Sequence, residues 1–141
     1  MKKLICILML IIFSVATLAC GEGGPSGKLD RILCSYDLSY DGEDEAYLEI
    51  YLSQMTQSGV APSQEFLTNG SITAHKYTGE NDDMVFVVEY ESIELIKELI
   101  GESSYNTYLE HGYCYDRYHI SADVQDSDTR DAIYEMIAEL N

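Results

Sequence analysis

Met84-Val85-Phe86-Val87-Val88-Glu89-Tyr90 is the stretch on which the fold turns. It carries one charge, and a methionine, valines and aromatics fill the rest, which is the composition of a strand held against a core. Just before it, Gly79-Glu80-Asn81-Asp82-Asp83 is a turn, and Ser71 to Thr78 reads as a second strand, so the two predict a hairpin. Further upstream, residues 54–70 are polar and broken by Gly59, Pro62 and Gly70. They read as a loop, with one helical turn at Pro62 to Leu67. Before the loop, Ile32, Cys34, Tyr36, Leu38 and Tyr40 alternate with Arg31, Ser35, Asp37 and Ser39, the period of a half-buried strand. Asp41-Gly42 is a hairpin signal, and Ala46, Leu48, Ile50 and Leu52 alternate after it. These predict a first hairpin. A helix over 44–57 competes, because Leu48, Leu52 and Met55 also share a helical face.

Downstream, Ser92 is placed to cap a helix through Leu99 and Ile100, and Gly101 to end it in a left-handed turn. Residues 103–111 suit either a short helix or a loop. Tyr113 to Ala122 alternates as one strand, and Ser127-Asp128 begins a last helix with Ala132, Ile133, Met136, Ile137 and Leu140 as its apolar stripe. The expectation is an α+β domain: an antiparallel sheet of about five strands, two hairpins plus one later strand, with two helices packed on one face.

Charge narrows the function classes. The chain has 25 acidic residues against 8 lysines and arginines, and all 25 lie beyond residue 19. Without the two lysines of the first nineteen residues, the remaining body carries −19. Such a body repels nucleic acid phosphates and anionic lipid headgroups, so neither a nucleic-acid partner nor a domain lying flat on a membrane is expected. Normal apolar content and twelve tyrosines, all beyond residue 19, argue for a folded domain over 29–141 rather than disorder.

The first residues carry an address. Met1-Lys2-Lys3 is a basic start, and Leu4 to Leu18 holds no charge over about 15 residues, short of the roughly 20 of a membrane-crossing helix. The pattern is that of a secretory signal over residues 1–19. Thr17-Leu18-Ala19-Cys20 resembles the lipobox of bacterial lipoproteins. The resemblance implies that Cys20 becomes the new N-terminus and carries lipid, and that the domain works at the extracytoplasmic face of the cell envelope, joined to the membrane through that lipid. An ordinary signal peptide cut after Ala19 and an uncleaved membrane helix are the alternatives. Residues 20–28, with Gly21-Glu22-Gly23-Gly24-Pro25-Ser26-Gly27, read as a flexible tether. Cys34 and Cys114 are then the cysteines left over, and in an exported protein they suggest one disulfide; two separate buried thiols are the alternative.

Motifs for chemistry are scarce. His111, Cys114, Asp116 and His119 have ligand chemistry but no zinc spacing. Counting an EF-hand loop from Asp126 puts Asp131 where glycine is required and Ile137 where the closing acid belongs. Asp123, Asp126, Asp128 and Asp131 therefore make at most a looser cation site. No G-x-S-x-G elbow and no phosphate-cradling glycine loop occur, and no cofactor is expected. The favoured reading is a non-catalytic binding or interaction domain whose partner is an envelope protein, a peptide or a glycan. A small envelope hydrolase using paired carboxylates and a weak cation-binding domain are the rivals. Five tyrosines between 105 and 118 suggest a binding face, with strand parity putting Tyr113, Tyr115, Arg117 and His119 on one exposed side; ordinary sheet composition, with the tyrosines packed under a loop or helix, is the alternative.

Overall fold

The computed structural model describes residues 23–60 and 70–141. The leader, Cys20 and the helical turn expected at 62–67 lie outside the described residues. Along the chain run α1 (Gly27–Ser35), β1 (Ser39–Glu43), α2 (Glu45–Gln57), β2 (Ile72–Thr78), β3 (Met84–Tyr90), α3 (Ile93–Ile100), α4 (Glu102–Glu110), β4 (Cys114–Tyr115), β5 (Tyr118–Asp123) and α5 (Ser127–Ala138). The strands form one sheet in the order β1-β2-β3-β5-β4, every neighbouring pair antiparallel. The fold is α+β with a five-stranded antiparallel sheet.

The valine-rich strand β3 is the middle of that sheet, and it is buried on both sides. Val85 and Val87 point one way, Val88 and Tyr90 the other, and all four are shielded from solvent. A strand covered on one face alternates apolar with polar; one covered on both reads as a near-continuous apolar run. Helices accordingly pack on both faces, five among the described residues, where the sequence reading placed two on one face. On face A, Leu29, Ile32 and Leu33 of α1 and Ile133 and Ile137 of α5 meet Tyr77, Val85, Val87, Tyr118 and Ile120. On face B, residues of α2, α3 and α4, among them Leu52, Ile96 and Tyr105, meet Ile72, Ala74, Val88, Tyr90 and Cys114.

Three local expectations are corrected. The alternating stretch from Leu29 is a helix followed by a short strand. Ser26 accepts from Leu29 N–H and caps α1, whose buried Leu29, Ile32 and Leu33 have helical spacing. Asp37 then takes a left-handed φ of 59°, and Leu38 N–H returns to Leu33 C=O at 3.1 Å, closing the helix end. Helix α1 therefore begins inside the stretch read as tether. Next, 44–57 is helical: Asp44 caps α2 by accepting from Tyr47 N–H at 2.8 Å. The Asp41-Gly42 signal produces a bulge in β1 instead of a hairpin, with the register to β2 shifting between Tyr40 and Gly42. Finally, Tyr113 to Ala122 is two strands, β4 and β5, folded back at Asp116-Arg117 with Asp116 at φ 51°.

The expected Cys34–Cys114 disulfide is not formed. Cys34 rides on α1 over face A, and Cys114 is buried in the face B core, so the sheet stands between them. One glycine near β4 is obligatory. Gly112 has φ +73°, and any side chain there would run into the Tyr134 carbonyl of α5.

Candidate functional site

Polar side chains on the inward parity of face A form a continuous line. Tyr40 on β1, His75 on β2 and Glu89 on β3 meet Arg117 from the β4–β5 turn. The Tyr40 hydroxyl lies 3.0 Å from His75 Nδ1, and His75 Nε2 lies 3.0 Å from Glu89 Oε2. Arg117 donates to Glu89 Oε1 at 2.7 Å. An ionised carboxylate only accepts, so the Nε2–H of His75 donates to Glu89, and a neutral ring leaves Nδ1 to accept the Tyr40 proton. Burial, followed by the nearby Glu43, Asp30 and Glu89 carboxylates, raises the Tyr40 pKa. His75 is 6% exposed, so these bonds satisfy groups that water cannot reach. Beside the line, Tyr77 donates a short hydrogen bond to Asp30, a carboxylate only 3% exposed in the first turn of α1.

The line opens to solvent at its Arg117 end. A cleft of about 270 Å³ is lined there by Gly70, Ser71, Thr73, Glu89, Tyr90, Glu91 and Arg117. Two hydroxyls, two carboxylates and a guanidinium offer donors and acceptors to a small polar ligand.

The four residues expected to share a binding face are dispersed, because the chain reverses between Tyr115 and Tyr118. Tyr113 is exposed at 37%, stacked on His111 and edge-on to Tyr134. Tyr115 is half-buried on face A, stacked with Tyr118 beneath the Lys28 ammonium. Arg117 sits in the turn against Glu89. His119 points into face B opposite Cys114, between the rings of Tyr51 and Tyr108. The His119 ring is half-buried as a whole, yet its Nδ1 is fully shielded and has no hydrogen-bond partner. Desolvation lowers its pKa to about 4, so it is neutral near pH 7. Burial pushes the Cys114 thiol up to about 12, which leaves it protonated and inert as a nucleophile.

Among the described residues, no group of three or more His, Cys, Asp or Glu side chains converges on a point where an ion could sit. Asp126 instead caps α5, accepting from Thr129 N–H at 2.9 Å. No helix among the described residues is long and apolar enough to cross a membrane. Of the groups in the line, sequence reasoning named only Arg117. Comparison with family models, with curated proteins and with solved structures found nothing that matches this chain.

Proposed function

We propose that this chain is a lipid-tethered, non-catalytic binding domain of the bacterial cell envelope, and that it takes its ligand in the cleft beside Glu89 and Arg117. The address rests on the lipobox-like Thr17-Leu18-Ala19-Cys20. The binding reading rests on one observation: the groups of the line from Tyr40 to Arg117 hold one another in place. Both ring nitrogens of His75 and both oxygens of Glu89 already have partners. A general base needs a lone pair aimed at substrate, and the buried His75 has neither ring nitrogen left to offer one. Fixed donors and acceptors suit recognition of a cell-wall glycan or an extended peptide. The hydrolase reading has one feature in its favour, since a phenol, an imidazole and a carboxylate in series can pass a proton.

Two measurements test this. Feeding cells an alkyne fatty acid should label the wild-type chain, and Cys20→Ser should abolish the label; an unlabelled wild type refutes the anchor. Titration with cell-wall glycan fragments and with extended peptides should give saturable binding that Arg117→Ala weakens. Hydrolysis of such a ligand, lost in His75→Gln with the fold intact, would replace the binding reading by the rival.

A further inference from the structure

Residues 23–26 do not hang free of the domain. The Gly23 backbone lies against the Tyr40 ring. Gly24 is wedged so closely between the Asp30 carboxylate and the Tyr77 hydroxyl that even a methyl group would overlap both. Pro25 C=O accepts from the Tyr118 hydroxyl at 2.9 Å. Ser26 caps α1. Residues 23–26 thus cross face A from β1 to β5, fastened at each step.

Resting on the lipid at Cys20, we infer that residues 23–26 are a strap that holds the Tyr40–Tyr118 side of the domain against the lipid headgroups in one orientation. Three residue steps separate Cys20 from Gly23, a reach of at most about 11 Å. A free tether from Cys20 to Lys28 would reach more than twice as far and let the domain tumble. Half of the six cations beyond residue 19, Lys28, Arg31 and Arg117, stand beside the strap, and Lys28 and Arg117 lie over tyrosine rings. Of the acids on this side, Asp30 is buried on Tyr77 and Glu89 is paired with Arg117, while Asp37, Asp41, Glu43, Glu91 and Asp116, and Asp126, Asp128, Asp131, Glu135 and Glu139 along α5, remain as counter-charges. The helices over face B carry Glu45, Glu49, Glu94, Glu98, Glu102 and Glu110 against Lys97 alone. Both sides are net acidic, so charge does not choose between them, and the short reach from Cys20 sets the orientation. The cleft beside Arg117 then lies close to the membrane, and the helices over face B face outward.

The test uses the full lipidated chain in vesicles of phosphatidylethanolamine and phosphatidylglycerol with quencher-bearing headgroups. A fluorophore is placed at Ser39, beside Tyr40, or at Glu98 on α3. Quenching at Ser39 should exceed that at Glu98 several-fold. Tyr118→Phe, which removes the Pro25 hydrogen bond, should narrow the difference. A short Gly/Ser insertion between Gly21 and Glu22 should abolish it while leaving the domain untouched, which covers the case of a Tyr118→Phe chain that folds poorly. Equal quenching in the lipidated wild type overturns the orientation alone. A chain that carries no fatty-acid label and does not sediment with vesicles overturns the anchor and the orientation together.

Discussion

The two faces of the sheet treat their buried polar groups in opposite ways. On face A the groups are chained: Asp30 takes the Tyr77 hydroxyl proton, and His75 bridges Tyr40 and Glu89, which Arg117 holds at the rim. On face B the Tyr51 and Tyr90 hydroxyls pair at 2.6 Å, while His119 Nδ1 is buried without a partner. A paired buried group loses little on leaving water; an orphan bears the full desolvation cost. Face A is therefore built to hold charge, and face B tolerates only neutral groups.

The comparison breaks most readily through the two cores. Ile133 on face A and Ile96 on face B are both completely buried. Truncating either to Ala should cost about 2–5 kcal/mol. Because both cores share β3, each variant should still unfold in one transition in urea; two separated transitions would show that the faces are independent units.

Acid should weaken face B next. His119 has its pKa lowered in the folded state, so the unfolded chain takes up the proton first. Its stabilising contribution is complete above pH 6.5 and falls as pH drops toward about 4. The loss should reach about 3 kcal/mol across that window. His119→Phe keeps an aromatic ring between Tyr51 and Tyr108 and should flatten this part of the profile. Urea midpoints falling equally steeply in both proteins between pH 6.5 and 4.5 would assign the acid sensitivity elsewhere.

Removing single hydroxyls sharpens the contrast. Tyr77→Phe strips a donor from the buried Asp30 carboxylate and should cost about 2 kcal/mol. Tyr51→Phe leaves the Tyr90 hydroxyl with the Met55 sulfur at 3.9 Å and should cost about 1 kcal/mol. The reverse order, read from thermal or urea unfolding, would contradict the chained description of face A. Smallest is Arg117→Ala. The Arg117 side chain is 40% exposed, so its ion pair with Glu89 should contribute less than about 1 kcal/mol, although ligand binding in the cleft should suffer.

Much of this contrast was legible in β3 and missed. Glu89 shares its parity with Val85 and Val87, and a carboxylate on the inward side of a valine strand announces a buried partner. The apolar residues on both parities likewise announced two covered faces. The hairpin of β2 and β3, the Ser92 cap, the Gly101 stop and the start of α5 were all read correctly, because each rests on one strong local signal. Leu29 to Tyr40 failed because helical and strand periods coexist there. The deciding signals were the Ser26 cap and a helix stop at Asp37, where no glycine marks the left-handed conformation. The binding face failed for a similar reason. Asp116-Arg117 makes a two-residue reversal without the glycine or asparagine that marks such turns, and every side chain beyond it changed face.

The bulge at Asp41-Gly42 has a consequence for crowding. The sheet ends in β1 on one side and in β4 on the other, and β4 is only two residues long. The outer rim of β1 is kinked where the register to β2 shifts, and it carries Asp41 and Glu43. Two copies brought side by side find no straight, uncharged run of backbone to zip together. Packed densely, these molecules should stay discrete particles rather than grow into fibrils.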